Sequence, residues 1–192
     1  ELPASAERTI GGLTLDSRRV RAGDLFMGVV GVAVDGRDFA DDAIRRGAAA
    51  VLLEGTADGE LEVAERGGVP VVTVPELRSR VGELAATFHD RPGGAMRVLG
   101  VTGTNGKTSS THYLAQVLEA LGHRTGVCGT LGNGFLDELV DTGLTTADPV
   151  TVQASLAGLR DAGAEFVAME VSSHALEQDR VSGVGFEGAL FT

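Results

Sequence analysis

A glycine-rich loop between a predicted strand and a predicted helix constrains the fold of this chain more than any other feature. The loop is GVTGTNGKTS, residues 100–109. Apolar residues over 97–101 predict a strand before it, and a helical pattern follows over 107–121. A strand, a Gly-rich loop, a Lys-Thr pair and a helix in this order bind nucleotide phosphates, because the loop N–H groups and the positive helix end face the anion. The sequence therefore predicts a phosphate-binding loop in an α/β domain.

Individual residues of this loop have distinct expected roles. Gly103 and Gly106 let the backbone approach an anion closely, Lys107 can reach the β- and γ-phosphates, and the Thr108 hydroxyl can ligate Mg²⁺. The strict P-loop pattern has a glycine where this chain carries Val101, so the loop is a variant. A Gly-rich strand–helix turn with an exposed lysine is the alternative interpretation.

Predicted strands and helices alternate on both sides of one break in the pattern. Before the break we predict strands at 24–30, 49–53 and 69–74, with helices at 39–47 and 75–88, the latter with Pro75 in its first turn. After it we predict strands at 97–101, 124–128, 165–171 and 186–191, with helices at 107–121 and 149–162. Such alternation predicts mostly parallel sheets.

The break itself is DRPGG, residues 90–94, which we interpret as a linker. The predicted domains are therefore residues 1–90 and 91–192.

Charge and cysteine content exclude several classes of protein. The net charge is −11 and no basic run is present, which disfavours a nucleic-acid partner. Cys128 is the single cysteine, so no disulfide framework is expected and a reduced, cytosolic compartment fits.

The chain shows no run of 18 apolar residues and no leader, so neither a membrane span nor a signal peptide is predicted. It opens without Met and ends in a predicted strand, which suggests a piece of a longer protein.

An acidic residue at the end of a second predicted strand is the best candidate partner for the loop. Glu170 ends the apolar run in FVAMEVSSHAL, where P-loop proteins place a carboxylate that helps hold Mg²⁺. A purely structural carboxylate is the alternative.

Polar side chains near two further strand ends suggest ligand contacts. Ser172, Ser173 and His174 follow Glu170 directly, where ligands of parallel sheets bind. A serine nucleophile is disfavoured, because Gly-x-Ser-x-Gly is absent. Thr145 and Thr146 precede the helix start Asp148-Pro149 and suit phosphate or sugar contacts, although such threonines are often plain turn residues.

Five motifs together resemble the Mur ligases, most closely their MurE type. They are LTLDSRRVRAGDLF, GVAVDGRDF, GVTGTNGKTS, TTADP and MEVSSHALEQDRV, in the family's order and spacing over nearly the whole chain. The resemblance implies an N-terminal MurE-type UDP-binding α/β domain followed by a truncated P-loop, mostly parallel-sheet ATPase domain.

The activity that the resemblance implies is ATP-dependent amide ligation in peptidoglycan biosynthesis. A third amino acid, meso-diaminopimelate or L-lysine, would be added to UDP-N-acetylmuramoyl-L-alanyl-D-glutamate through an acyl phosphate, with ATP and Mg²⁺ as cofactors. The parent protein would be cytosolic and monomeric or weakly associated. This chain alone would be inactive, because the family's later lysine and its amino-acid-binding domain are absent.

The resemblance also implies a set of site residues. Lys107, Thr108 and Glu170 would be catalytic, with Thr108 and Glu170 as Mg²⁺ ligands. The ATP loop would be Gly103, Thr104, Asn105, Gly106, Lys107, Thr108 and Ser109. Contacts to the UDP-sugar peptide would be Leu15, Ser17, Val32, Ala33, Val34, Thr145, Thr146, Ser172, Gln178 and Arg180.

Two positions depart from the family pattern, and two other functions stay open. Leu144 stands where related sequences often carry Asn, and the apolar run 32–34 could contact a ligand only through its backbone. A cyanophycin-synthetase-like ligase would share the ATPase motifs but not the amino-terminal ones. A non-catalytic module that binds a UDP-sugar or another nucleotide is the second alternative.

Overall fold

The computed structural model describes residues 8–31 and 34–192, which form two compact units. One unit reaches to Val81 and the other begins at Gly82, so the division falls inside the helix Leu77–Phe88. The domain boundary predicted between residues 90 and 91 lies just beyond this helix and stays a prediction. None of the helices among the described residues is both long enough and apolar enough to cross a membrane.

The first unit contains a mostly parallel sheet with two helices. Its strands are β1 (Gly12–Thr14), β2 (Asp24–Gly28), β3 (Ala50–Gly55), β4 (Glu62–Arg66) and β5 (Val69–Pro75). Its helices are α1 (Ala40–Arg45) and the first part of α2 (Leu77–Phe88), which continues into the second unit. Within the described residues the sheet order is β1-β2-β3-β5-β4. β4 pairs antiparallel with β5, and the other pairs are parallel.

Buried side chains on adjacent strands hold the first unit together. Phe26, Val51 and Val71 come from β2, β3 and β5, and Ala40 and Ala43 of α1 pack into the same cluster. Each large apolar side chain contributes about 1.5–3 kcal/mol on full burial. The predicted strands at 24–30, 49–53 and 69–74 are confirmed by these three strands.

The predicted start of the helix at Pro75 is wrong. Pro75 is the last residue of β5, Glu76 has a positive φ of 50°, and α2 begins at Leu77. The Glu54 carboxylate accepts the Arg78 backbone N–H at 3.2 Å, which satisfies one of the first-turn donors of this helix. A side chain distant in sequence therefore fixes the helix start.

The second unit contains a sheet with a parallel centre and an antiparallel edge. Its strands are β6 (Arg97–Thr102), β7 (Thr125–Gly129), β8 (Gly132–Phe135), β9 (Glu138–Val140), β10 (Phe166–Glu170) and β11 (Phe186–Phe191), and its helices are α3 (Lys107–Ala120), α4 (Pro149–Asp161) and α5 (Ser173–Glu177). The sheet order over the described part is β11-β6-β10-β7-β8-β9. All predicted strands and helices of this part are present, whereas β8, β9 and α5 were not predicted.

The register of the central strands places three strand ends side by side. β10 lies between β6 and β7 and runs parallel to both. Glu170 pairs with Val101, and Met169 pairs with Cys128. Because parallel strands end at the same edge, the loops after β6, β7 and β10 converge there.

The edge of this sheet at β11 exposes apolar side chains. Leu190 is half exposed and Phe191 is 81% exposed. Thr192, directly after β11, donates its hydroxyl to the Asn105 carbonyl at 2.6 Å and accepts the Thr104 N–H at 3.3 Å. The chain after β11 therefore contacts the glycine-rich loop after β6.

Candidate functional site

The glycine-rich loop has the backbone geometry that phosphate binding requires. Gly103 and Gly106 adopt φ angles of +131° and +84°, which side-chain-bearing residues rarely adopt, and Gly106 directly precedes α3. Lys107 Nζ donates to the Gly103 carbonyl oxygen at 2.8 Å, so the ammonium lies against the loop. A helix start, glycines with positive φ and a lysine at one place form a site suited to an anion.

Glu170 lies at the centre of a hydrogen-bonded cluster beside this loop. The Thr108 hydroxyl, in the first turn of α3, donates to Glu170 Oε2 at 2.9 Å. Thr130, which follows β7, donates its backbone N–H to Oε1 at 2.8 Å, and its hydroxyl lies 3.3 Å from Oε2. Glu170 is 1% exposed, so these donors offset the cost of burying its carboxyl group. The predicted pair Thr108 and Glu170 is thus brought together.

Space around the carboxylate is set by a glycine at the end of β7. A Cβ added at Gly129 would clash with Oε1 of Glu170. Glycine is therefore required for the close approach of this strand to the carboxylate.

A second hydrogen-bonded cluster begins at the backbone carbonyl of Glu170. Thr146 donates its hydroxyl to the Glu170 carbonyl oxygen at 2.9 Å and accepts the Ser172 N–H at 3.1 Å. Arg180 donates to the Thr146 carbonyl oxygen at 2.9 Å and to Gln178 Oε1 at 2.7 Å. Four of the predicted substrate contacts are therefore neighbours in one network.

Thr145, the fifth predicted contact to the muramoyl peptide, lies next to the cluster around the Glu170 carboxylate. Thr130 Oγ1 lies 3.0 Å from Thr145 Oγ1, as well as near the Glu170 carboxylate. Ser172 accepts the Ala175 N–H with its side chain and so caps α5. This capping role gives the Ser172 hydroxyl a structural function and does not indicate a serine nucleophile.

The predicted contacts in the first unit follow neighbouring parallel strands. Leu15 and Ser17 come directly after β1, and Val34 comes after β2, so both loops leave the same sheet edge. Ser17 is only 5% exposed, and its hydroxyl donates to the Asp42 carboxylate, which lowers the pKa of Asp42. Val34 is 57% exposed. Val32 and Ala33, the other two predicted contacts, lie outside the described residues.

An exposed ion pair and a backbone hydrogen bond lie in the turn that carries Ser17. The Arg18 guanidinium donates to Asp16 and lowers the pKa of that carboxyl group. Asp16 also accepts the Arg18 backbone N–H at 3.0 Å, which caps the short 3₁₀ turn Ser17–Arg19.

The residues beside the loop fit Mg²⁺. A buried carboxylate and a hydroxyl 2.9 Å apart are hard oxygen ligands of the kind that Mg²⁺ takes together with phosphate oxygens. No group of three or more His, Cys, Asp or Glu side chains within residues 8–31 and 34–192 is placed to hold a metal ion. The donor set therefore suits a cation that shares its ligands with a nucleotide.

Cys128 lies next to Gly129 but is not a candidate nucleophile. It is buried, and burial raises the pKa of its thiol to about 12. The thiol therefore stays protonated near neutral pH, and the thiolate is the reactive form.

Thr130 is the site residue that the sequence analysis missed. It is contributed by the β7–β8 turn and touches both the Glu170 carboxylate and Thr145. Its position at the carboxyl end of a predicted parallel strand was an available signal.

Two family models match successive parts of the chain. The model described as "Mur ligase family, catalytic domain" matches residues 9–89, and the one described as "Mur ligase middle domain" matches residues 101–192.

Curated relatives match nearly the whole chain. A UDP-N-acetylmuramoyl-L-alanyl-D-glutamate–2,6-diaminopimelate ligase of Pseudomonas putida is 49% identical over 189 residues, which are 98% of this chain and 38% of that protein. The protein of the same name from Alkalilimnicola ehrlichii is 47% identical over 197 residues, covering 100% of this chain and 40% of its own length. The chain thus spans about two fifths of the length of these relatives.

Solved structures share the fold. A structure of a protein with the same ligase name superimposes with a TM-score of 0.79 at 34% identity, covering 95% of this chain and 36% of the other. A MurF ligase from Thermotoga maritima, solved in complex with ADP, has a TM-score of 0.56 at 24% identity, covering 90% of this chain and 34% of its own. The second likeness supports the fold alone.

Proposed function

This chain belongs to the Mur ligase family, and we propose that the complete protein joins 2,6-diaminopimelate to UDP-N-acetylmuramoyl-L-alanyl-D-glutamate with ATP. The observation that carries the proposal is the contact between Thr108 and Glu170 beside the glycine-rich loop. The curated relatives support the choice of diaminopimelate over lysine, because their names specify it.

Phosphate binding and charge stabilisation are the tasks of residues 103–109. The loop N–H groups and the start of α3 hold the phosphates of ATP, and Lys107 stabilises negative charge on the transferring phosphoryl group. Thr108 and Glu170 hold Mg²⁺, which when bound neutralises charge on the phosphate oxygens. Phosphoryl transfer to a carboxylate of the dipeptide gives an acyl phosphate and ADP. Attack by the amine of the amino acid then forms the amide and releases phosphate.

Substrate positioning belongs to the network around Thr146. We assign contacts with the muramoyl-peptide part to Thr145, Thr146, Ser172, Gln178 and Arg180. Arg180 donates to both Gln178 and Thr146, so its guanidinium is held in place before substrate arrives. Orientation of this kind lowers the barrier, since reacting groups must be held in near-attack geometry.

The UDP part is assigned to the first unit. Leu15, Ser17 and Val34 lie in loops that leave one edge of its parallel sheet, which is where ligands of such sheets bind. Val32 and Ala33 are assigned to the same contact by the family motif alone. The family match over residues 9–89 favours this assignment over a cyanophycin-synthetase-like ligase.

We also propose that the complete protein is a monomer in the cytosol, without nucleic-acid or membrane partners.

The test is ligation by the full-length protein. It should be incubated with ATP, Mg²⁺, UDP-N-acetylmuramoyl-L-alanyl-D-glutamate and either diaminopimelate or lysine, and the UDP-tripeptide measured by mass spectrometry. We expect product with diaminopimelate and none when ATP is omitted. Absence of product with diaminopimelate would refute the proposed activity.

Ser17→Ala tests the UDP assignment. We expect affinity for the UDP-substrate to fall roughly fivefold, the scale of one lost hydrogen bond of about 1 kcal/mol, with ADP affinity unchanged. Ser79→Ala makes the same change at an exposed position of the same unit and serves as the control. Because Ser17 also bonds Asp42, thermal unfolding of both variants must accompany the calorimetry. Equal losses for both ligands would contradict separate sites.

A further inference from the structure

We propose that Thr130 is a positioning residue that couples the metal-binding carboxylate Glu170 to the substrate-binding hydroxyl of Thr145. This inference rests on the proposed function, because it assumes Mg²⁺ at Glu170 and substrate at Thr145. It adds a residue and a physical link that neither the family motifs nor the nucleotide loop contain.

Thr130 holds the carboxylate through its backbone. Its N–H donates to Glu170 Oε1 at 2.8 Å, which fixes that oxygen to the β7–β8 turn. The other oxygen, Oε2, lies 2.9 Å from the Thr108 hydroxyl at the phosphate loop. The backbone contact therefore orients the carboxylate so that Oε2 faces the place where a nucleotide-bound cation would be.

The hydroxyl of Thr130 lies between two acceptors. Thr130 Oγ1 lies 3.3 Å from Glu170 Oε2 and 3.0 Å from Thr145 Oγ1. A hydroxyl carries one proton, so it donates to only one of these oxygens at a time. The side chain therefore has two hydrogen-bonded arrangements.

A cation at Oε2 favours one of these arrangements. The cation repels the hydroxyl proton, so Thr130 donates to Thr145 instead. Thr145 then accepts a hydrogen bond and directs its own proton away from Thr130, towards substrate. A substrate that accepts a hydrogen bond from the Thr145 hydroxyl favours the same arrangement, in which Thr130 donates to Thr145, and leaves Oε2 free for the cation. Such coupling is reciprocal, so each ligand raises the affinity for the other.

The experiment measures coupling in the full-length protein without turnover. Mn²⁺ replaces Mg²⁺ as the probe, ADP replaces ATP, and bound Mn²⁺ is measured by electron paramagnetic resonance with and without UDP-N-acetylmuramoyl-L-alanyl-D-glutamate. In the wild type we expect the substrate to tighten Mn²⁺–ADP binding about fivefold or more, the lower end of typical coupling. In Thr130→Val this factor should fall to one, whereas Thr130→Ser should retain it.

Matched variants separate coupling from loss of structure. Thr87→Val removes an exposed hydroxyl from the last part of α2, which belongs to the second unit like Thr130, and should leave the coupling unchanged. Thr145→Val removes the other end of the link and should also abolish the coupling, which keeps the test decisive if Thr130→Val fails to fold. Failure of the wild type to bind Mn²⁺–ADP would overturn the proposed function as well. Binding without coupling in the wild type, or coupling retained in Thr130→Val, would overturn only the role of Thr130.

Discussion

Lys107 is the single lysine among the 192 residues, and its side chain folds against the loop that precedes it. Nζ lies 2.8 Å from the Gly103 carbonyl oxygen and 3.5 Å from that of Thr104. An ammonium held there can exchange these carbonyl partners for phosphate oxygens with little movement. The contact keeps the charge next to the anion site.

Lys107→Ala in the full-length protein should lower kcat roughly 100- to 1,000-fold, because it removes one preorganised donor to the transferring phosphoryl group. ADP affinity should fall less, since the loop backbone still binds phosphate. Steady-state kinetics and calorimetry measure the two effects. A variant with near wild-type kcat would show that this loop is not the catalytic one.

Gly129→Ala should displace the Glu170 carboxylate, because the added Cβ would clash with Oε1. We expect a loss of about 1–3 kcal/mol in the free energy of unfolding and weaker Mn²⁺–ADP binding. Gly158→Ala is the matched control. A Cβ at this α4 position meets nothing within 4 Å, so that change should be neutral or stabilise by about 0.5–1 kcal/mol. Equal effects of the two substitutions on urea unfolding would argue against the close approach at Gly129.

Among the elements of the second unit, α4 has the most complete amino-terminal cap. Asp148 accepts the backbone N–H groups of Val150 and Thr151, each at 3.0 Å, and Pro149 is the first helical residue. The signal Asp-Pro was readable in the sequence, and the helix start predicted at residue 149 is confirmed. The same cap sits three residues after Thr145, so it also fixes the end of the loop that carries this proposed substrate contact.

Asp148→Ala should destabilise the second unit by about 1 kcal/mol, the typical effect of removing an N-cap. Asp161→Ala, at the opposite end of the same helix, removes an exposed carboxylate and should change the free energy of unfolding by less than about 0.5 kcal/mol. Urea unfolding of both variants measures the difference. Comparable losses would mean that the cap does not stabilise the helix.

The molecule as a whole is built from two α/β units, each with its own sheet and its own candidate ligand. The proposed UDP contacts lie in the unit that ends at Val81, and the proposed nucleotide and metal contacts lie in the unit that begins at Gly82. Both sets follow the carboxyl ends of parallel strands, as ligand sites in such sheets do.

Two ligands should therefore protect different parts of the chain from amide hydrogen exchange. ADP with Mg²⁺ is expected to slow exchange over residues 100–111 and 127–131, and UDP over residues 12–19. Mass spectrometry of the 192-residue chain measures both patterns. Protection of the same peptides by both ligands would contradict the assignment of one site to each unit.

Sequence patterns predicted the strands and helices that carry the site but missed several strands at the edges of the two sheets. β4 was missed because all five of its residues are exposed, so no alternation of apolar and polar residues marks it. The glycine pair 67–68 between β4 and β5 has φ angles of 59° and 79°, as a two-residue hairpin turn requires, and was an available signal. The start of α2 depended on Glu54, which no local pattern connects to that helix.

The sequence by itself determined the loop, its lysine and the alternation of strands and helices, because these depend on spacing between near neighbours. Only the tertiary structure decided that Thr108, Thr130 and Glu170 meet, since Thr108 lies 62 residues and Thr130 lies 40 residues from Glu170 along the chain. These contacts follow from the strand order β6-β10-β7 and from the pairing of Glu170 with Val101. Parallel neighbours are joined by long crossovers, so strand order is set by burial over the whole sheet and not by any local run of residues.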